Sequence, residues 1–91
     1  MASYRIAWKR SASRELRKLE KETVSTIVKA VESLAEEPYP RGSRKLKGTM
    51  QSYRIRIGDY RVVYSVRESL LTIEIVRVGH RRDIYRRLIP S

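Results

Sequence analysis

The sequence predicts an α+β fold with the element order β-α-α-β-β-β, in which an N-terminal strand and a helical hairpin pack on a mostly antiparallel four-stranded sheet. Three patterns predict it. Apolar residues alternate with charged ones near the start, recur at helical spacing over residues 22–37, and alternate again in three consecutive segments after residue 52. The 91 residues contain no repeat and no long linker, so we expect one domain, 1–91, with a short helical tail at its C-terminus.

The N-terminal residues predict a strand and a short helix. Tyr4, Ile6 and Trp8 alternate with small or charged residues, as in a strand with one buried face. Ser11 or Ser13 can then accept the first backbone N–H groups of a helix.

A longer helix is predicted over residues 22–37. Its apolar residues are three and four positions apart, which places them on one helical face: Val24, Ile27, Val28, Val31, Leu34 and Ala35. Pro38 and Pro40 end the helix, since proline cannot donate a backbone hydrogen bond.

The C-terminal half predicts a basic loop at 39–52 and then a three-stranded meander. Gly58 and Asp59 form a tight hairpin turn, because glycine tolerates positive φ. Gly79 is expected to end the last strand, and residues 80–91 have helical potential. The three strands are predicted at 53–57, 60–66 and 70–78.

The charge is basic and unevenly distributed. The formal net charge is +11, with 15 Arg among 21 basic residues. Residues 38–67 carry +7 and residues 77–91 carry +4, whereas the predicted helical hairpin is nearly neutral. Arginine offers a planar set of donors that matches phosphate. A segmental, arginine-rich excess indicates a nucleic-acid partner, although a merely basic protein would show part of the same pattern.

The composition excludes several classes of site. No Cys is present, so there is no disulfide, thiolate zinc site or cysteine nucleophile. A single His excludes a multi-histidine metal site, and we expect neither metal nor cofactor. No long apolar run predicts a membrane span, and the first ten residues lack the apolar stretch of a secretory signal. We therefore expect a soluble cytoplasmic protein.

The candidate functional residues are basic or aromatic and fall at one rim of the predicted sheet. Arg54 and Arg56 point away from the buried face, and Arg61 follows the hairpin turn on the neighbouring strand. The end of the last strand and the tail supply the remainder, which are Arg77, His80, Arg81 and Tyr85. No carboxylate is evident among them.

Such a set suits cleavage of an RNA phosphodiester by the neighbouring 2′-OH. That reaction needs a base, cations for the phosphorane charge and an acid for the leaving oxygen, and it needs no metal. The arginines are candidates for binding phosphate, while His80 and Tyr85 are candidates for moving protons. We also expect six basic side chains to bind RNA: Arg41, Arg44, Lys45, Lys47, Arg77 and Arg82. Alternating arginines can also be a solvated strand face, and His80 can be structural.

Three segments resemble the RelE/ParE superfamily of toxins from bacterial and archaeal toxin–antitoxin systems. They are Leu46-Lys47-Gly48, YRIRIGDYRVVYSV (53–66) and IVRVGHRRDIYR (75–86). The resemblance covers nearly the whole chain and implies one RelE-like toxin domain. Members of the RelE branch are ribosome-dependent endoribonucleases that cut mRNA in the A site and inhibit translation. ParE-like members instead inhibit DNA gyrase and usually lack the basic catalytic set.

The resemblance implies catalytic roles at five positions, namely Arg54, Arg56, Arg61, Arg81 and Tyr85. Some members have Lys where this chain has Arg54 and Arg56, and an arginine essentially cannot lose its proton. The resemblance therefore leaves the general base open, and His80 is the candidate to compensate. It also implies a cognate antitoxin, and the near-neutral helical hairpin within a basic chain predicts that this antitoxin wraps the toxin with an acidic amphipathic segment. A gyrase inhibitor and a non-catalytic RNA-binding module remain the alternatives.

Overall fold

The computed structural model describes residues 3–48 and 51–87, with only the backbone of residues 85–87. The last residues of the predicted tail, 88–91, lie outside the described residues. The elements in chain order are β1 (Arg5–Trp8), α1 (Arg10–Arg17), α2 (Lys21–Ser33), β2 (Arg44–Lys45), β3 (Ser52–Ile57), β4 (Tyr60–Arg67), a 3₁₀ turn (Glu68–Leu70), β5 (Thr72–His80) and α3 (Arg81–Arg87).

The strands form one sheet in the order β1-β5-β4-β3-β2. β1 is parallel to β5 and every other pair is antiparallel, so the α+β class and the mostly antiparallel sheet are confirmed. The sheet has five strands rather than four. Arg44 and Lys45, which we assigned to the basic loop, pair with Arg54 and Tyr53. Two residues are too short a segment for alternation to reveal a strand.

The core lies between the helical hairpin and one face of the sheet. Alternation places Ile55 of β3, Val62 and Tyr64 of β4, and Ile73 and Ile75 of β5 on this face, all of them buried. The apolar stripe of the hairpin packs against them with Ala12, Ile27, Val31 and Leu34. Burying these side chains supplies the main driving force for folding of so small a chain.

Two helix boundaries differ from the sequence prediction. α1 begins at Arg10 with Lys9 as its N-cap, and no side chain caps it, so the capping role given to Ser11 or Ser13 was wrong. Lys9 donates its backbone N–H to Ile75 O, so pairing with β5 fixes where the chain turns into the helix. α2 ends at Ser33 rather than at residue 37, because the chain from Leu34 onward tightens into turns before Pro38.

Gly79 does not end the last strand, contrary to our expectation, because β5 continues to His80. Its lack of a side chain serves packing instead. A Cβ built on Gly79 would lie 3.4 Å from Cγ1 and Cδ1 of Ile84 in α3. Gly79 is the cross-strand partner of Arg61, on the face away from the helical hairpin. α3 therefore folds over this second face and buries Ile84 completely.

The buried hydroxyl group of Tyr64 is expected to make the folded state less stable at alkaline pH. Its hydroxyl donates to Pro38 O at 2.7 Å, and burial is the main cause that raises its pKa to about 12. The folded state then holds the phenol proton more tightly than the unfolded state, whose pKa is near 10. The contribution of Tyr64 to the free energy of unfolding should be fully present below pH 10. It should fall by up to about 3 kcal/mol as the pH rises through about 12.

Urea unfolding at pH 8 and pH 11 measures this loss. Tyr64→Phe should cost about 1 kcal/mol at pH 8 by removing the hydrogen bond, and should show a smaller loss between the two pH values. An equal alkaline loss in both proteins would contradict the assignment to Tyr64.

Candidate functional site

Four arginines share the sheet face that lies opposite the helical hairpin. Arg44 of β2 pairs directly with Arg54 of β3, and Arg56 of β3 pairs directly with Arg61 of β4. Directly opposed residues on neighbouring strands lie on the same face with their Cβ atoms about 5 Å apart, and like charges so placed destabilise a sheet. We call this group the arginine face. An anionic ligand bound over the two opposed pairs would screen the repulsion between their positive charges.

Two members of the arginine face are buried, although Arg54 and Arg56 both lie on the face away from the helical hairpin, as we expected. Arg54 is only 5% exposed and Arg61 only 6%, whereas Arg56 is exposed. Arg61 Nη1 donates to Gly58 O and to Tyr60 O, each at 2.9 Å, so its guanidinium is held against the β3–β4 turn. Arg61 is therefore anchored before any ligand arrives, which reduces the entropy lost on binding.

The β3–β4 turn also brings Arg81 to this end of the sheet. The backbone N–H of Arg81 donates to Asp59 O at 2.8 Å, so the start of α3 is tied to the same turn that Arg61 contacts. The Arg81 side chain is exposed, as we expected. Tyr85 lies one helical turn further along α3, and its side chain is outside the described part. The structure thus places Arg56, Arg61 and Arg81 around one turn.

His80 is not on the arginine face. It pairs with Tyr60, and alternation along β5 places it on the same side as Val78, the side of the helical hairpin. Its ring lies edge-on to Tyr60, with the centroids 5.7 Å apart. Its Nδ1 accepts the backbone N–H of Arg82 at 3.3 Å, so His80 caps the start of α3.

A carboxylate that we did not anticipate lies beside Arg77. Glu15 of α1 accepts from Arg77 Nε at 2.9 Å and forms an ion pair with Nη2 at 2.8 Å. Its other oxygen accepts the backbone N–H of Val78 at 2.9 Å, which covers the edge of β5 beyond the end of β1. Arg77 is therefore held in the scaffold. The sequence offered no signal for this contact, because 62 positions separate the two residues.

The other predicted RNA-binding residues fall into two groups. Arg41 and Arg44 line one groove of about 390 Å³ beside β3, together with the catalytic candidate Arg56 and with Ile55 and Ile57 among its apolar lining. The remaining three are exposed but not part of that groove. They are Lys45, whose register with Tyr53 places it on the opposite face from Arg44, Lys47 after β2, and Arg82 in α3.

Residues 3–48 and 51–87 contain no group of three His, Asp or Glu side chains arranged to hold a metal ion. Over the same ranges, no helix has the length and apolar character needed to cross a membrane.

Comparison with known proteins identifies the family. Residues 6–85 match the family model described as the ParE toxin of a type II toxin–antitoxin system, parDE. The chain belongs to this family. It is a RelE-like toxin of a type II toxin–antitoxin system, as its relatives show.

Three relatives illustrate the similarity. Toxin RelG of Mycobacterium tuberculosis is 36% identical over 88 residues, which is 92% of this chain and 98% of RelG. The RelE–RelB complex from the archaeon Pyrococcus horikoshii has a chain with a TM-score of 0.78 and 33% identity, covering 87% of this chain and 96% of that one. The isolated Escherichia coli RelE toxin has a TM-score of 0.77 and 26% identity, covering 86% of this chain and 84% of that one.

Proposed function

We propose that this toxin is a ribosome-dependent, metal-independent endoribonuclease, an mRNA interferase that cuts mRNA in the A site and thereby inhibits translation. The observation that carries the proposal is the two pairs of directly opposed arginines, Arg44 with Arg54 and Arg56 with Arg61, on a face beside which α3 begins with Arg81. A polyanion with closely spaced phosphates is the ligand that such a face fits.

The 2′-OH of the substrate attacks its own phosphodiester, and the bond to the 5′-oxygen of the next nucleotide breaks. Arg56 and Arg81, both exposed, contact the nonbridging oxygens and stabilise the phosphorane as negative charge builds up. Arg61, held at the β3–β4 turn, supplies positive charge that needs little reorganisation, and the buried Arg54 adds a second charge beneath the exposed arginines. We assign the proton donor for the leaving oxygen to Tyr85.

His80 acts on this site through α3 in our proposal. Its Nδ1 accepts the N–H of Arg82 and thus helps to hold the helix that carries Arg81 and Tyr85. An arginine guanidinium cannot serve as a base at neutral pH. Since His80 faces away from the arginines, water held by the ribosome-bound substrate is the better candidate for receiving the 2′-OH proton.

The openness of the site supports the proposed dependence on the ribosome. Among the described residues, neither the groove beside β3 nor the arginine face encloses a nucleotide in a way that would align the 2′-OH with the leaving oxygen. Alignment of reacting groups accounts for a large part of enzymatic acceleration. The ribosomal A site holds mRNA in a fixed conformation and would supply that alignment.

A cognate antitoxin is the second partner that we propose. The similar Pyrococcus RelE was solved in complex with RelB. The net charge of +11 on this toxin favours an acidic, amphipathic segment that wraps the chain and orders on binding.

Inhibition of DNA gyrase is the alternative, because the family model bears the ParE description. Induction in cells separates the two functions. Primer extension on abundant mRNAs should show new 5′ ends at fixed positions within codons, while DNA remains intact. Intact mRNA with DNA damage would instead support gyrase inhibition.

Purified components test the mechanism. Stalled ribosomes carrying mRNA should support cleavage, whereas naked RNA in EDTA should be cut slowly and bound in a salt-dependent manner. Rapid cutting of naked RNA would contradict the proposed role of the ribosome.

A further inference from the structure

A second basic surface lies on α1, on the side of the molecule opposite the arginine face. Arg10, Arg14 and Arg17 are spaced four and three residues apart, so they share one face of the helix over about 10 Å. All three are exposed. We call them the α1 stripe. The opposite face of the helix carries Ala12 and Leu16, which pack into the core.

We propose that the α1 stripe is a second RNA-binding site, which takes the phosphate backbone of a base-paired RNA. This inference does not require that the arginine face cuts RNA.

The charge around the stripe is almost entirely positive. Residues 9–21 contain six basic and two acidic side chains. One of the acids is Glu15, whose carboxylate is bound to Arg77 and to the N–H of Val78. Lys9, Lys18 and Lys21 flank the stripe and are exposed. Residues 9–21 thus expose six cations and one carboxylate, that of Glu20, and Glu22 adds a second exposed carboxylate just beyond this range.

The first residues of α1 are basic, although acidic side chains would stabilise the N-terminus of a helix. The N-terminus of a helix carries partial positive charge, so Lys9 at the N-cap and Arg10 in the first turn are unfavourable. No side chain caps the helix, and no acidic residue lies in its first turn. Residues that destabilise their local structure occur preferentially at sites where a function requires them. Binding of phosphate here would offset the repulsion.

The chemistry of the stripe favours a nucleic-acid backbone over a protein helix. Ser11 and Ser13 stand between the arginines, and Leu16 is turned to the core. In the part of the chain that the structure describes, the large exposed apolar side chains are Tyr39, Leu70 and Leu71, none of which lies on α1. A protein partner needs apolar surface to bury at the centre of its interface. Phosphate contacts need only cations and polar donors.

The position of the stripe requires a ligand separate from the one on the arginine face. The core and the sheet lie between the two surfaces, and the smallest dimension of the molecule is 25 Å. A few nucleotides threaded over the arginine face cannot also reach the stripe. A rigid row of cations instead suits A-form RNA, which proteins bind through its backbone and shape. The toxin could thus hold a structured RNA on one side while it holds a single strand on the other.

Binding of a 20-base-pair RNA duplex to the purified toxin tests this proposal. The triple variant Arg10→Gln, Arg14→Gln, Arg17→Gln should weaken duplex binding at least tenfold. The slope of log Kd against log salt concentration should fall by about 2 to 3, since each lost phosphate contact removes roughly 0.9. The matched control removes the same charge at exposed sites outside both surfaces, with Arg5→Gln, Lys29→Gln and Arg67→Gln. It should keep at least two thirds of the wild-type slope, and circular dichroism should show that both variants are folded.

A single-stranded RNA 10-mer separates this site from the arginine face. Arg56→Gln should weaken binding of the 10-mer more than binding of the duplex, and the α1 variant should do the reverse. Equal duplex affinity in the α1 variant and the matched control would overturn the proposal. So would an α1 variant that binds duplex normally but no longer binds an acidic antitoxin peptide, because the stripe would then be a protein interface. Both readouts measure binding, so they hold even if no RNA is cleaved.

Discussion

Replacing Arg81 with Ala should lower the rate of mRNA cleavage on ribosomes by on the order of 10²–10³, the cost of removing one donor that stabilises the charge of a transition state. Arg81 is exposed, and its contact with the scaffold is the backbone N–H donated to Asp59. Alanine keeps that hydrogen bond and is a good helix former. The fold and the position of α3 should therefore survive.

Single-turnover cleavage of ribosome-bound mRNA measures the effect, and urea unfolding checks stability. Arg67→Ala is the matched control, because Arg67 is an exposed arginine at the other end of β4, with only a long contact to Glu74 at 3.9 Å. We expect Arg67→Ala to cleave within about twofold of wild type. A wild-type rate in Arg81→Ala would remove Arg81 from the mechanism.

The sequence predicted most of the sheet because alternation survives wherever one face is buried. Tyr53, Ile55 and Ile57 face the core, so β3 was visible in the pattern, and its arginines fell on the other face as expected. β2 could not be predicted, because two residues are too few to show the alternation of side chains that marks a strand. Helix α2 was evident for the same reason as β3, although its end required knowledge of the turns before Pro38.

The candidate site was predicted by residue type more than by geometry. Arg56, Arg61 and Arg81 gather at one turn, yet their sequence positions do not reveal the hydrogen bonds to Gly58 and Asp59 that hold them there. His80 illustrates the opposite case. We placed its side chain with the arginines, but β5 continues through Gly79, so alternation turns His80 to the other face. Where β5 ends therefore decides on which face of the sheet the His80 side chain lies.

Long-range contacts account for what the pattern could not show. The pairing of Glu15 with Arg77 and the packing of Ile84 on Gly79 both depend on how α1 and α3 dock at β5. No local rule relates an acidic residue in one helix to an arginine in a distant strand. A glycine in a strand also has several meanings, which include a strand end, a bulge and a close approach. At Gly79 the structure shows the third.

Ile84→Ala should lower mRNA cleavage by about 10- to 100-fold without touching the arginine face. Among the described side chains of α3, Ile84 is the one buried against the sheet, so its truncation removes about 2–4 kcal/mol of packing from a helix of seven residues. α3 should then detach or shift. Displacement of a catalytic group by about 1 Å can cost on the order of 10² in rate, and α3 carries both Arg81 and Tyr85. Hydrogen exchange of the α3 amides measures the detachment directly.

Gly79 offers the control that separates docking from a general loss of stability. A methyl group at Gly79 would meet Ile84 at 3.4 Å, and the end of that side chain can move by a few tenths of an ångström. Gly79→Ala alone should therefore cost little. In the Ile84→Ala background the same methyl fills part of the vacated space, so the double variant should recover α3 protection and part of the cleavage rate. The two sites are in contact, and we expect a coupling energy of about 0.5–1 kcal/mol. Strictly additive losses would show that α3 is not held by this contact, which would leave the hydrogen bonds of Arg81 to Asp59 and of Arg82 to His80 to position the helix.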